Sequence, residues 1–203
     1  MYLLVYKFGG SSVADAAGLR CAAGQLAEAA AAGFHIIAVV SAQGKTTDRL
    51  LQSTAELTAH PARREADQLL ATGEQASAAL MAMTLQERGL SAVSLTGWQA
   101  GIHTDGNHAA AEITALHRRR ILRELEAGRI VIVAGFQGVD REGDITTLGR
   151  GGSDTTAVAL AAAFDACGCR ICTDVDGVYD RDPREFPLSL IHISEPTRQA
   201  EIS

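Results

Sequence analysis

Two glycine-rich segments combine residue types that suit the binding of phosphate groups. Residues 7–12 read KFGGSS and residues 148–156 read LGRGGSDTT. Glycines let the backbone approach an anion closely, and the start of a following helix offers free N–H groups and a favourable dipole. Lys7 adds a point charge, and Arg150 can form two parallel hydrogen bonds with a carboxylate or a phosphate. These segments predict a site for a nucleotide and a small acid.

Each segment also has a simpler interpretation. Residues 7–12 are compatible with a plain strand-to-helix turn in which Ser11 or Ser12 caps the helix, and Asp154 is compatible with a favourable charge in a first helical turn. A third segment, TDVDGVYDRDPR at residues 173–184, has the composition of a solvated loop with an Asp-Gly turn. It lacks the terminal Glu and the further oxygen ligands of a calcium loop. The arginine, glycines, serine and aspartate of residues 148–156 together exceed what helix capping requires.

Two common nucleotide-binding motifs are excluded. Residues 44–46 read GKT, as at the end of a Walker A loop, but the position of that motif's first glycine holds Val39. The glycines of residues 149–152 do not form a dinucleotide fingerprint either, because the third glycine position holds Asp154. The sequence therefore predicts neither a P-loop NTPase nor a Rossmann dehydrogenase.

The elements that must position these loops alternate along the chain. Short runs rich in β-formers are predicted as strands at residues 2–8, 35–40, 92–96, 129–134 and 170–173. Longer stretches rich in Ala, Leu and Glu are predicted as helices at residues 13–32, 63–88, 116–127 and 153–165. This alternation predicts βαβ units and a mainly parallel sheet that is covered on both faces.

Composition narrows the class of protein. The chain has 203 residues, enough for one α/β domain or two small ones. It is 47% hydrophobic with a net charge of -6, so we expect a globular protein with no nucleic-acid partner. Apolar runs such as residues 36–40 are too short to span a bilayer, and the N-terminus has no signal-peptide pattern. We therefore expect no membrane association and a cytoplasmic location. Cys167, Cys169 and Cys172 cluster without a second ligand group, so we predict reduced thiols and no metal site.

Taken in order, the motifs resemble those of the aspartokinases within the amino-acid kinase family, over about residues 2–187. The matching segments are KFGGSSV (7–13), VVSAQGKTTDRLL (39–51), TGEQ (72–75), SLTGWQAGI (94–102), VAGFQGV (133–139), TTLGRGGSDTTAVALA (146–161) and TDVDGVYDRDPR (173–184). The resemblance implies a three-layer α/β/α sandwich with a mainly parallel central sheet. It also implies transfer of the γ-phosphoryl group of ATP to the side-chain carboxylate of L-aspartate. The product, 4-phospho-L-aspartate, begins lysine, threonine, methionine and diaminopimelate biosynthesis.

The resemblance assigns roles to individual residues. The catalytic positions are Lys7 and Asp154. The ATP-binding positions are Lys7, Phe8, Gly9, Gly10, Ser12, Thr173, Asp174, Tyr179 and Arg184. The aspartate-binding positions are Ser41, Thr47, Asp48, Glu74, Arg150, Gly151, Gly152 and Ser153. Chemically, Glu74 suits the ammonium group of aspartate and Arg150 its α-carboxylate, although Glu74 alone is compatible with an exposed helical glutamate. Mg²⁺ is expected to be held mainly through the ATP phosphates, without a dedicated protein site.

The resemblance also predicts how the chain is organised. Residues 1–187 are expected to form the catalytic domain, incomplete at its C-terminal end, because family kinase domains continue beyond the Asp-Pro-Arg segment. The full-length parent is expected to be a homo-oligomer or to carry regulatory ACT domains. Residues 188–203, LSLIHISEPTRQAEIS, resemble a translated sequencing adapter, and we interpret them as a non-native tail. The alternative for residues 188–203 is a genuine divergent C-terminal strand and loop. The alternatives for the function are another kinase of the same superfamily and a non-catalytic nucleotide-binding fragment.

Overall fold

A computed structural model describes residues 2–172, in which strands and helices alternate. The strands are β1 (Leu3–Phe8), β2 (His35–Val40), β3 (Ala92–Leu95), β4 (Ile102–Thr104), β5 (Ile113–Leu116), β6 (Ile130–Ala134), β7 (Gln137–Val139), β8 (Ile145–Thr147) and β9 (Gly168–Cys172). The helices are α1 (Ala16–Ala31), α2 (Thr46–Leu57), α3 (Arg63–Glu87), α4 (Arg119–Glu126) and α5 (Gly152–Ala163). The predicted loop at residues 173–184 and the predicted tail at residues 188–203 lie outside the described residues.

The central sheet has five strands in the order β3-β6-β2-β1-β9, and every neighbouring pair is parallel. Its middle strands β2 (HIIAVV) and β6 (IVIVA) are almost entirely buried. Continuous apolar strands of this kind fit a parallel sheet covered on both faces. The predicted mainly parallel sheet is therefore confirmed.

Helices cover both faces of this sheet. On one face α1 and α3 pack Leu26 and Met81 against the strands, and on the other face α4 and α5 contribute Ile121 and Leu160. Side chains of β2 alternate between the two cores, as the period of a strand requires. Ile36, Ala38 and Val40 face the first core, and Ile37 and Val39 face the second. This arrangement is the predicted three-layer α/β/α sandwich.

A second sheet was not predicted from the sequence. It has four short strands in the order β5-β4-β7-β8, with antiparallel pairs at its ends and a parallel β4–β7 contact. Its strands have only three or four residues. Runs this short carry little hydrophobic periodicity, so they resembled loops in the sequence.

Several predicted boundaries were wrong. Helix α1 begins at Ala16 and not at residue 13, because Asp15 Oδ1 accepts the N–H groups of Ala17 at 2.9 Å and Gly18 at 2.8 Å. Asp15 is therefore the N-cap, and not Ser11 or Ser12. The helix predicted from residue 116 begins at Arg119, since Leu116 ends β5. Helix α2 was missed because it buries none of its residues. Within residues 2–172, no helix is both long and apolar enough to cross a membrane.

Candidate functional site

A cavity of about 570 Å³ opens at the carboxyl edge of the central sheet. The order of the strands reverses at β1, which has β2 on one side and β9 on the other. In open parallel sheets, ligands bind at such reversal points, beyond the carboxyl ends of the strands. The cavity is lined by all the predicted aspartate-binding and catalytic residues: Lys7, Ser41, Thr47, Asp48, Glu74, Arg150, Gly151, Gly152, Ser153 and Asp154. The fold thus gathers residues that are far apart in sequence around one space.

Lys7 and Asp154 form an ion pair across two elements of this cavity. Lys7 lies near the end of β1, and its Nζ is 2.9 Å from Oδ1 of Asp154, in the first turn of α5. The Lys7 side chain is 12% exposed and that of Asp154 is 50% exposed. Apart from Lys7, Asp154 Oδ1 has no polar partner among the described residues. Asp154 therefore fixes the position of the Lys7 charge and keeps capacity to accept a further hydrogen bond.

Glu74 is the buried anion of the cavity. It lies on α3 with only 4% of its surface exposed, so it is not the exposed helical glutamate that the sequence alone allowed. Burial raises its pKa to about 7, although the N–H of Ala42 donates to Oε1 at 3.0 Å and opposes that rise. Oε2 has no hydrogen-bond partner among the described residues. A buried carboxylate oxygen without a donor favours a ligand that supplies one.

Two close backbone approaches put Glu74 beside the loop that follows β2. A Cβ atom at Gly73 would lie 2.8 Å from Ala42 Cβ, and one at Gly10 would lie 2.7 Å from the Ala42 carbonyl oxygen. Both distances are too short for a side chain, so glycine is required where α3 and the KFGG loop meet this loop. A glycine inside a helix costs about 1 kcal/mol relative to alanine. Gly73 of the TGE motif therefore weakens helix α3 but permits its close contact with Ala42.

The GRGG loop supplies the cationic side of the cavity. Gly151 is the N-cap of α5 with φ of 76°, and no side chain caps this helix. Asp154 in the first turn uses part of the dipole at the N-terminus of α5, and the remainder stays favourable for an anion. Arg150 is exposed and lines the cavity together with the buried Ser153. This cation lies at the same cavity as the Glu74 carboxylate.

The KFGG loop differs from the sequence-based expectation. Because Asp15 caps α1, the N–H groups of Ala17 and Gly18 are not free for a phosphate. Phe8 is 1% exposed and its ring stacks on Tyr6 in the core, so its side chain does not line the cavity. Its carbonyl accepts the N–H of Ser41 at 3.1 Å.

The remaining ATP-binding positions are only partly described. The structure places Gly9 and Gly10 directly after β1, beside the reversal point of the sheet, and Ser12 is half-buried. The N–H of Gly9 donates to the carbonyl of Cys172 at the end of β9. Four predicted ATP-binding residues lie outside the described residues: Thr173, Asp174, Tyr179 and Arg184.

Other residues line the cavity to which the sequence assigned no individual role. They are Leu51, Leu70, Ala109, Phe136, Thr147 and Gly149. Ala109, Phe136 and Thr147 belong to the second sheet or to the segments that connect it. They carry no charge, so only the fold shows that their side chains or backbone line the cavity.

Two other features compete with this cavity. A larger one, of about 700 Å³, is lined by Trp98, His103, His117 and neighbouring arginines, but by none of the predicted site residues. Elsewhere, ligand atoms of His108, Asp140 and Asp144 lie within 4.8 Å of one another, as a metal site requires. Arg64 Nη2 already pairs with Asp144 Oδ1 at 2.6 Å, and His108 is hydrogen-bonded to the buried Asp67. These contacts favour a network of ion pairs and hydrogen bonds among protein groups over a metal site.

The chain is similar to known proteins over most of its length. The sequence model of the Amino acid kinase family matches residues 3–201. An aspartokinase of Geobacillus stearothermophilus is 55% identical over 184 residues, which is 91% of this chain and 45% of that protein. Aspartokinase 2 of Bacillus subtilis is 52% identical over the same shares. The chain thus spans about half the length of these curated relatives.

Solved structures give the same picture. An aspartate kinase from Synechocystis superposes with a TM-score of 0.76 at 45% identity, covering 91% of this chain and 30% of that one. The aspartokinase III of E. coli, solved in complex with aspartate and ADP, superposes with a TM-score of 0.79 at 28% identity. That match covers 92% of this chain and 52% of the E. coli protein.

Proposed function

The chain belongs to the amino acid kinase family, and we propose that it is the catalytic, ATP-binding part of an aspartate kinase. In this proposal it transfers the γ-phosphoryl group of ATP to the side-chain carboxylate of L-aspartate and forms 4-phospho-L-aspartate. The relatives that carry the name aspartokinase are about twice as long as this chain. Because this chain is shorter, the proposal rests on the residues that line its own cavity.

The observation that carries the proposal is the buried Oε2 atom of Glu74. Among the described residues it has no hydrogen-bond donor, and Arg150 lines the same cavity. L-Aspartate has an ammonium group that can donate to Glu74 and an α-carboxylate that can accept from the Arg150 guanidinium. A simple organic phosphate or a nucleotide base would leave the Glu74 carboxylate without a cation. The pair therefore favours an amino acid as the acceptor substrate.

The acceptor carboxylate needs no strong base in the protein. A reference aspartate side chain has a pKa of about 4, so it is ionised near neutral pH. The barrier to reaction is the repulsion between that anion and the phosphates of ATP, which catalysis overcomes by positioning and by neutralising charge. Lys7 supplies a positive charge at the cavity floor, and Asp154 holds it there. We therefore assign transition-state stabilisation to Lys7 and its orientation to Asp154.

The nucleotide is proposed to lie beside the reversal point of the central sheet. Gly9 and Gly10 follow β1 there, and β9 ends at Cys172 on the neighbouring side. Mg²⁺, when bound, neutralises charge on the phosphates and keeps several water ligands. Asp154 would hold a water molecule bound to this ion, because its Oδ1 retains acceptor capacity. The predicted ATP-binding residues after β9, including Asp174 and Arg184, remain proposals.

Three further parts of the proposal concern the organisation of this chain and of its longer parent protein. They are the boundary of the catalytic domain at residue 187 with a non-native tail beyond it, the ACT regulatory domains, and the homo-oligomeric state. They follow from the resemblance to the aspartokinases and stay predictions.

The test is a steady-state assay of ADP release by the 203-residue chain with ATP and Mg²⁺. L-Aspartate, L-glutamate, N-acetyl-L-glutamate and uridine monophosphate serve as alternative acceptors. We expect ADP release that saturates with L-aspartate and stays at background with the other three. Release with another acceptor would assign the chain to a different kinase of the superfamily. Nucleotide binding without turnover would make it a non-catalytic fragment.

A further inference from the structure

A buried carboxylate beneath the cavity has no role in the proposed chemistry. Asp67 lies on α3 with 0% of its surface exposed. Its Oδ2 accepts the N–H of Thr147 at 3.1 Å, the N–H of Ala109 at 3.0 Å and Nδ1 of His108 at 2.9 Å. Its Oδ1 accepts the hydroxyl of Thr147 at 2.6 Å. Asp67 therefore joins three parts of the chain: α3, the segment at residues 107–111 and the end of β8.

The two segments held by Asp67 line the amino-acid side of the cavity. Ala109 and Thr147 are both lining residues, and Arg150 follows Thr147 closely in sequence. The N–H of Ala111 donates to the carbonyl of Thr147 at 2.9 Å. A Cβ atom at Gly149 would lie only 3.3 Å from the Ala109 carbonyl oxygen. Residues 107–111 therefore form a support under the loop that carries Arg150.

The support contains a strained residue. Ala109 has a φ of 71°, in the left-handed region that alanine rarely adopts. Strained conformations persist only where the surrounding structure holds them, and they cluster at ligand-binding sites. The hydrogen bond from the Ala109 N–H to Asp67 is such a restraint. Without it, we expect residues 107–111 to relax and the GRGG loop to lose its support.

Asp67 and Glu74 lie on the same face of one helix. They are separated by two helical turns, a rise of about 10 Å. Helix α3 thus carries Glu74, the predicted partner of the ammonium group, and Asp67, which is hydrogen-bonded beside the loop that holds Arg150. These hydrogen bonds of Asp67 set the distance between the charges of Glu74 and Arg150.

We propose that Asp67 is a positioning residue that sets the separation of Glu74 and Arg150, and thereby the affinity for the zwitterionic head of the acceptor amino acid. This inference rests on the proposed function of the cavity. Asp67 itself touches no substrate. It acts through Thr147 and Ala109.

The chemistry of Asp67 makes it difficult to replace. All four of its partners are donors, and both of its oxygens are used as acceptors. An asparagine at this position keeps one acceptor oxygen and replaces the other by an amide NH2 group, and it loses the negative charge. Asp67→Asn therefore keeps the size of the side chain and weakens the connection. Thr147→Val removes only the hydroxyl donor, and Thr147→Ser retains it.

The matched control is another buried carboxylate. Glu124 on α4 is 2% exposed and pairs with Arg120 at 2.7 Å and Arg123 at 3.1 Å. It does not line the proposed aspartate cavity. Glu124→Gln therefore breaks a buried charge network of similar burial away from the site. We expect it to lower thermal stability and to leave the KM for L-aspartate unchanged.

The experiment measures KM for L-aspartate, KM for ATP and kcat in the full 203-residue chain. We expect Asp67→Asn to raise KM for L-aspartate by about 10-fold or more, since lost hydrogen bonds to a charged group cost about 1.4 kcal/mol or more, a factor of ten. KM for ATP is expected to change less than about 3-fold, on the premise that distant sites are independent. Thr147→Val is expected to raise KM for L-aspartate less than Asp67→Asn does, and Thr147→Ser to restore it.

A second readout separates this inference from the proposed function. Hydrogen exchange at the amides of Ala109 and Thr147 reports the support directly, with or without catalysis. If the wild-type chain shows no aspartate-dependent turnover, the proposed function fails; faster exchange at these two amides in Asp67→Asn than in wild type then still supports the positioning role of Asp67, and unchanged exchange overturns it. If turnover occurs, an unchanged KM for L-aspartate in both Asp67→Asn and Thr147→Val overturns the inference. If Asp67→Asn does not fold, Thr147→Val and Thr147→Ser decide the result.

Discussion

Replacing Glu74 by glutamine should stabilise the ligand-free protein while abolishing its affinity for L-aspartate. The pKa of Glu74 is raised from 4.5 to about 7, mainly by burial. Each pKa unit corresponds to about 1.4 kcal/mol, so the ionised carboxylate lowers the free energy of unfolding by about 3 kcal/mol. A neutral amide of the same shape avoids this cost. Because Glu74 is buried, solvent screening reduces the value little.

The effect has a defined dependence on pH. Below about pH 4.5, Glu74 is protonated in both the folded and the unfolded chain, and its ionisation contributes nothing to the difference between wild type and variant. As the pH rises from 4.5 to 7, the unfolded chain releases this proton and the folded chain retains it, so the wild type loses stability relative to the variant. Above pH 7 the difference is constant. The variant is thus more stable only above about pH 4.5, and the full difference is present only above about pH 7.

The assay is urea unfolding of wild type and Glu74→Gln at pH 5 and pH 8, with and without L-aspartate. We expect the variant to be more stable by about 3 kcal/mol at pH 8 and by under about 1 kcal/mol at pH 5. L-Aspartate should stabilise the wild type at pH 8 and leave the variant unchanged, since ligands stabilise only the state that binds them. Equal stabilities at pH 8 would refute the burial argument. Aspartate-dependent stabilisation of the variant would refute the assignment of the ammonium site.

The remaining predictions concern the two cations of the cavity. Lys7→Ala should lower kcat by about 100-fold or more with a much smaller change in KM for L-aspartate, because it removes charge stabilisation of the transition state. The control is Lys45→Ala, at an exposed position. A near-normal kcat for Lys7→Ala would exclude Lys7 from the mechanism. Arg150→Ala should raise KM for L-aspartate by about 10-fold or more, as expected for a charged hydrogen-bonding pair. Calorimetric titration with L-aspartate checks the second prediction against Arg141→Ala at an exposed position, and unchanged affinity would show that Arg150 does not bind the α-carboxylate.

The central layers of the fold were predictable because burial leaves a simple signal. Residues 36–40 and 130–134 are continuous apolar runs, and such runs form the interior strands of parallel sheets. The second sheet left no comparable signal, since β7 has three residues and one of them is Gly138. Helix α2 was missed for the opposite reason, because it has no buried face to reveal its period.

The residues of the candidate site were predictable in type but not in environment. The motifs indicated Lys7, Glu74 and Arg150, and the fold brings all three to one cavity. The burial of Glu74 depends on the contact between Gly73 and Ala42, which lie far apart in sequence. Asp67 was missed, since one aspartate in a polar helix start has no distinguishing pattern until its partners are known.

The most direct test of the central claim is the identity of the product. Hydroxylamine converts an acyl phosphate into a hydroxamate, so the chain is incubated with ATP, Mg²⁺, L-aspartate and hydroxylamine, and the hydroxamate is identified by mass spectrometry against synthetic standards. We predict the β-aspartyl hydroxamate, formed by the wild type and reduced by about 100-fold or more in Lys7→Ala. The α-aspartyl hydroxamate, or ADP release without any hydroxamate, would contradict the proposal that this cavity orients the side-chain carboxylate of L-aspartate for phosphoryl transfer.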